Sequence, residues 1–254
     1  MFFDSHAHLN DIKFNNDREA IISDMQNCGV SYIANIGDDL ASSRQSVVLA
    51  KRYPFIYAAV GVHPHNVENM TENDISELAE LAESNKVVAI GEIGLDYYYD
   101  NSPRELQKKW FKRQIELATE LNKPIAVHCR DAIKDCTDIL KKYDIAKIGG
   151  VMHCFSGSAE TARDVINMGM YISVGGPVTF KNNRRSIQVI LEIPLEYILI
   201  ETDCPYLAPE PVRGTRNDSR NIKYVAEKIA EIKEISIETV ANVTTENAKK
   251  LYRI

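Results

Sequence analysis

Phe2-Phe3-Asp4-Ser5-His6-Ala7-His8 opens the chain. Two aromatic residues begin a short extended run, and two histidines close it. Side chains at i and i+2 of a strand leave the same face. His6 and His8 therefore offer two imidazoles to one point. Imidazole is a common ligand of divalent transition ions. Two ligands do not make a site, so the reading depends on where the chain keeps the others. The stretch also bears on the fold. In an open doubly wound sheet the first strand leads into a Gly-rich turn that receives a phosphate. Here His6-Ala7-His8 stands in that place.

Working outward, short apolar runs alternate with helical stretches to the end of the chain. Extended runs are predicted at 2–5, 32–36, 55–61, 86–90, 124–127, 147–152, 170–174 and 197–200. A helix follows each. Thr71 with Asp74 looks like a helix N-cap. Ser102-Pro103-Arg104-Glu105 has the form of a helix start, with a capping Ser, a Pro in the first turn and Glu three residues after the Ser. That helix should run to Leu121 and bury Trp110, Phe111, Ile115 and Ala118. Three helices are predicted after the last strand, at 221–233, 237–243 and 246–251. Eight β/α units in 254 residues match the usual size of a closed α/β barrel, about 250 residues. The expected architecture is a single-domain (β/α)8 TIM barrel over 1–254 with extra C-terminal helices.

No apolar run approaches the roughly 18 to 20 residues that span a bilayer. The N-terminus lacks a basic segment followed by a long apolar one, so a cytoplasmic protein is expected. Five scattered cysteines, without a CxxC pair, argue against a disulfide framework. The formal net charge of −6 argues against a broad, non-specific grip on nucleic acid. It leaves room for a local basic groove.

Active sites of such barrels lie at the C-terminal ends of the strands. Strand one ends in His6 and His8, and strand three in Gly61-Val62-His63-Pro64-His65. Strand four ends in Gly91-Glu92-Ile93-Gly94-Leu95-Asp96, strand five in His128, strand six in His153, and strand eight in Glu201-Thr202-Asp203. All six histidines of the chain fall at these ends. Borderline divalent ions take imidazole and carboxylate together. His6, His8, His128 and His153 with Glu92 and Asp203 are enough for two ions. Glu92 can bridge them, and Asp203 can both ligate and accept a proton from bound water. Two ions about 3.5–4 Å apart suit a phosphoryl displacement. His63 and His65 flank a Pro and are read as donors to phosphate oxygens or to the leaving group. Loop histidines that only pack are the alternative. Glu201 either holds a ligand in place or fills the barrel interior.

Cys129, Cys154 and Cys204 each follow a proposed ligand. Strand alternation turns them to the helix layer, as small buried apolar residues. Tyr97-Tyr98-Tyr99 is either a stacking surface for bases or rim packing. Arg130, Lys181, Arg184, Arg185, Arg213, Arg216 and Arg220 follow strands five, seven and eight. Each either meets phosphate or belongs to a solvated charged surface.

Asp4-Ser5-His6-Ala7-His8, Gly61-Val62-His63-Pro64-His65, Gly91-Glu92-Ile93-Gly94-Leu95-Asp96, Met152-His153-Cys154-Phe155-Ser156-Gly157 and Glu201-Thr202-Asp203-Cys204-Pro205-Tyr206-Leu207 together resemble the TatD-type metal-dependent deoxyribonucleases. These belong to the wider amidohydrolase-like barrels. The resemblance covers nearly the whole chain, in order. It implies a two-metal TIM barrel that hydrolyses DNA phosphodiesters, trimming single strands from the 3′ end. Its implied ligands are His6, His8, Glu92, His128, His153 and Asp203, with Asp203 as base. Zn²⁺, Mn²⁺ or Fe²⁺ suit this set, and Mg²⁺ is often used to assay the family. Two other readings compete. One keeps barrel and metals but cleaves an ester or amide, for example in aminoacyl-tRNA. Against it, Glu92 occupies the place where many relatives carry a modified lysine. The other is a metal-stabilised binding module without activity.

Overall fold

Strand and helix alternate along the chain of the computed structural model, which describes all residues, 1–254. The order is β1 (Phe2–Ala7), α1 (Arg18–Asp24), β2 (Val30–Ile36), α2 (Leu40–Arg52), β3 (Ile56–Val60), α3 (Glu72–Ala82), β4 (Val87–Asp96), α4 (Arg104–Glu120), β5 (Ile125–Arg130), α5 (Ile133–Leu140), α6 (Ile145–Ile148), β6 (Gly150–Met152), α7 (Ala159–Asn167), β7 (Met170–Val174), α8 (Arg184–Glu192), β8 (Ile198–Ile200), α9 (Ile222–Lys233) and α10 (Ile237–Tyr252). The eight parallel strands pair in sequence order, β1 to β8. The chain returns beside its start: Ser5 Oγ donates to the Ile200 carbonyl at 2.9 Å. This is the (β/α)8 barrel that the alternation predicts. No helix is long and apolar enough to cross a membrane.

The barrel divides into two compact units. The first, 1–35 with 154–164 and 172–254, carries β1, β8, most of β2 and β7, and the two C-terminal helices. Phe3 on β1 packs against Tyr252 of α10, ring centroids 5.7 Å apart. The Tyr252 hydroxyl donates to the Ser5 carbonyl at 2.9 Å.

The second unit, 36–153 with 165–171, carries β3 to β6. All ten residues of β4 are buried, as expected of a parallel strand covered on both faces. Helix α4 lies over it and buries Trp110, Phe111, Ile115 and Ala118. Full burial of a side chain such as Phe111 is worth about 1.5–3 kcal/mol over leaving it in water. Gln107 and Gln114, also buried on α4, lie seven residues apart and so share a face. Gln114 caps both peptide groups of Val62, at 2.8 and 3.0 Å. Gln107 does the same for Asp96, at 2.9 and 3.1 Å. One helix thereby fixes the loop that leads to His63 and the end of β4.

Four expectations are corrected. Strand β4 does not stop at Ile90 but runs on through Glu92 to Asp96. Glycine permits this: a Cβ on Gly94 would lie 1.9 Å from the His128 carbonyl oxygen, and one on Gly91 would strike Ala126. Strand β6 is shorter than expected, because Ile145–Ile148 coils into a turn that Gly149 ends at φ +81°. The predicted helices at 237–243 and 246–251 are one helix, α10. Its threonines weaken helix propensity, yet Thr244 is buried and its hydroxyl bonds back to Val240. Ser102 is not the cap of α4; Pro103 holds that position, and the Ser102 hydroxyl donates to the His65 carbonyl at 2.9 Å.

Candidate metal centre

The first unit gathers His6, His8 and Asp203. The Nε2 atoms of His6 and His8 stand 3.1 Å apart, as the i, i+2 spacing predicts. Asp203 Oδ1 lies 3.8 Å from the first and 3.4 Å from the second. Backbone bonds hold the three in register: the Asp203 N–H donates to the His6 carbonyl at 2.9 Å, and the His8 N–H to that of Cys204 at 2.8 Å. Asp203 adopts φ +53°, a left-handed conformation that Asp tolerates better than most residues. Behind the group sits Asp4, fully buried. It accepts the N–H and hydroxyl of Thr202 at 2.9 and 2.6 Å, which fixes the residue before Asp203. Burial pushes the Asp4 carboxyl up to about 7. Glu201, also fully buried, accepts the Cys154 N–H at 2.6 Å and the Ser173 hydroxyl.

The second unit gathers Glu92, His128 and His153, with His63 alongside. Glu92 Oε1 lies 2.8 Å from His128 Nδ1, 2.8 Å from His153 Nε2 and 3.5 Å from His63 Nε2. The two nearer nitrogens are 3.2 Å apart. The opposite nitrogen of His128, Nε2, meets Asp96 Oδ2 at 3.0 Å, and His65 Nε2 meets the same oxygen at 2.9 Å. Asp96 Oδ1 accepts the N–H groups of Tyr98 and Tyr99 at 3.0 and 2.9 Å.

The charges follow from these contacts. Burial alone would raise the Asp96 carboxyl, but hydrogen bonds from His128, Tyr99 N–H and His65 outweigh it and hold it well below the usual carboxylate range. Burial alone would lower His128; its bonds to Asp96 and Glu92 win and raise it. His63 has less help. Burial, then repulsion from His128, keeps it well below its ordinary value and so neutral.

The first group joins two imidazoles and a carboxylate, and the second three imidazoles and a carboxylate, nitrogen and oxygen sets of the kind that Zn²⁺, Mn²⁺ and Fe²⁺ accept. The ligating atoms of His6, His8 and Asp203 all lie within 4.8 Å of one another, and so do those of His63, Glu92 and His128. The donor chemistry fits a divalent ion in each unit. Residues 3–253 match the sequence pattern of the family described as TatD related DNase. The chain belongs to that family. YabD of Bacillus subtilis, called an uncharacterized metal-dependent hydrolase, is 49% identical over 254 residues and covers 100% of both chains. YcfH of Escherichia coli K12, described in the same words, is 36% identical over 99% of this chain and 95% of its own. The crystal structure of YjjV, a TatD homolog from E. coli K12, superposes with a TM-score of 0.93 at 29% identity, covering 100% of this chain and 98% of the other. This TatD-family chain is a metal-dependent hydrolase.

Sequence reasoning missed Asp96 and Asp4, the carboxylates behind the two groups. Asp4 could have been noticed as an acid inside an apolar strand. Asp96 stands four residues after Glu92 at the end of an otherwise apolar and glycine run, a weaker signal. Cys204 is buried as expected, whereas Cys129 and Cys154 are only partly so. Tyr97 packs at the rim, its hydroxyl bonded to Asp135 at 2.8 Å; Tyr98 and Tyr99 stay exposed.

Proposed function

We infer that this TatD-family hydrolase cleaves phosphodiester bonds of DNA with two divalent ions, degrading single strands from the 3′ end. The observation that supports it most is the pair of imidazole–carboxylate sets at the strand ends, the first of them with three donors. A structural site saturates its metal with four protein ligands, whereas a catalytic one keeps a position for water. His6, His8 and Asp203 would hold one ion, and Glu92, His128 and His153 the other. Bound divalent ions supply Lewis acidity and a water of lowered pKa. Asp203 is the base. Its side chain keeps 14% of its surface exposed, against 5% for Glu92, so it can pass a proton outward. His65, 26% exposed, and His63 donate to phosphate oxygens. Glu201, just after β8, accepts from the backbone before α7 and from Ser173 on β7, and so steadies the loop that carries Asp203.

The family description favours DNA, and Glu92 in place of a modified lysine disfavours the amide and lactone branch. The test is elemental analysis of the purified protein together with hydrolysis of single-stranded DNA labelled at either end, RNA, aminoacyl-tRNA and a lactone across added metals. Stepwise loss from the 3′ end of DNA is expected. Turnover of aminoacyl-tRNA or lactone with DNA left intact overturns the reading.

A further inference from the structure

Arg130, at the end of β5, is an unusual cation in this chain. Several arginines are neutralised by carboxylates, Arg104 by Asp100, Arg113 by Glu72, Arg216 by Asp17 and Arg220 by Asp218, and Arg18 instead donates to backbone carbonyls and Asn15. Arg130 has no carboxylate partner. Its guanidinium lies instead over two tyrosine rings, 4.2 Å from the centroid of Tyr98 and 4.8 Å from that of Tyr99. The two rings meet at 89°, centroids 4.9 Å apart, and the cation sits against both. Ring faces fix such a cation without consuming its N–H donors, and a guanidinium has five.

The corner is not a loose surface feature. The backbone N–H groups of Tyr98 and Tyr99 are both bound by Asp96 Oδ1, while Asp96 Oδ2 holds His128 and His65. One buried carboxylate thus ties the tyrosine turn to the Glu92 group. Tyr99 also packs edge-on against His65, centroids 5.4 Å apart. Asp96 and Arg130 are register partners across β4 and β5, and the Tyr97 N–H donates to the Arg130 carbonyl at 2.9 Å. Arg130 stands two residues beyond His128, about 6.6 Å along an extended strand. Tyr98 and Tyr99 are 58% and 54% exposed, so ring surface remains for a base.

The geometry points to a second substrate subsite: Arg130 binds a phosphate flanking the one that is hydrolysed, and Tyr98 and Tyr99 stack the nucleobase beside it. This rests on reading the substrate as a polynucleotide. It assigns the rim of β4 and β5 to substrate length: a strand with a further phosphate gains a charge-assisted, fork-shaped contact that a mononucleotide ester lacks. Guanidinium and tyrosine together suit single strands, because every base has a face to stack.

The experiment measures binding of a nuclease-resistant phosphorothioate oligonucleotide to the metal-loaded protein over a range of salt. Arg130→Gln should weaken binding about tenfold and shrink the slope of log K against log salt by about 0.7. Arg130→Lys should keep the slope and lose part of the affinity. Tyr98→Leu should weaken binding and leave the slope unchanged. Lys134→Gln, which removes an exposed charge on the neighbouring α5, should change affinity less than twofold. One neutral methylphosphonate linkage should cost the wild type as much as Arg130→Gln does, and cost that variant nothing further. An unchanged slope in Arg130→Gln, or losses that add at every linkage, overturns the proposal. Tight binding that depends on Arg130 without hydrolysis of ordinary DNA upholds the subsite and defeats the reaction proposed above.

Discussion

The two histidine groups look alike in composition and differ in what stands behind them. In the second unit, His128 is gripped on both nitrogens, by Glu92 on one side and Asp96 on the other. Asp96 is an ionised carboxylate that takes two imidazoles. Such a carboxylate behind a ligand orients the ring and raises its basicity. In the first unit two buried carboxylates stand behind the group: Asp4 accepts from the Thr202 N–H and hydroxyl, both neutral, and Glu201 from the Cys154 N–H and the Ser173 hydroxyl. The Asp4 contacts position the backbone of Thr202 and of His6, whose N–H lies 3.4 Å from Asp4 Oδ1. Charge-assisted bonds are roughly twice as strong as neutral ones. The difference suggests a division of labour on the two-ion reading: the Glu92 group would retain an ion, and the His6 group would present one beside a partly exposed Asp203.

The largest effects should come from breaking both groups at once. Removal of metal by a chelator should abolish hydrolysis, and added Mn²⁺ or Zn²⁺ should restore it, measured by turnover and elemental analysis. Asp203→Asn should come next. Loss of a positioned base typically costs about 10²- to 10⁴-fold. The fall should appear in kcat, with metal content at the Glu92 group retained. Asp96→Asn sharpens the comparison directly: metal affinity should drop about 10- to 100-fold, read by competition with a chromogenic chelator. Asp4→Asn should leave metal affinity within a fewfold, because an amide oxygen can still accept from Thr202. Equal losses in the two variants would erase the distinction between the groups.

How much of this was visible in the residues follows from the range of each interaction. The alternation of apolar runs and helices is local, and the barrel came from it. The histidines were visible because a strand end puts a polar side chain where an apolar one is expected. Asp96 was not, because its meaning depends on His128, thirty-two residues away in sequence, and on two turn N–H groups. The length of β4 was hidden by Gly91 and Gly94, which read as a break and serve as close contacts with β5. Gln107 and Gln114 carried a signal that periodicity exposes: two amides on the buried face of α4, where only apolar residues or groups with assigned partners belong. Thr244 and Thr245 suggested a break in the last helix because propensity is a weak prior, and burial against the strands overrides it.

The smallest effect concerns the anchor of β1 in the first unit. Tyr252→Phe removes the hydroxyl that donates to the Ser5 carbonyl and leaves the ring in contact with Phe3. A single neutral hydrogen bond contributes about 0.5–1.5 kcal/mol. The Ser5 carbonyl, one residue before His6, is left with one partner fewer in a buried place. For a chain of this size about 1 kcal/mol corresponds to a fall in Tm of about 2–4 °C, measurable by calorimetry on the metal-loaded protein. The same variant should not alter metal retention by the Glu92 group, whose supports, Gln107, Gln114 and Asp96, all lie in the other unit. A loss of metal from that group on Tyr252→Phe would show that the two groups share their support, and the contrast between them would fail.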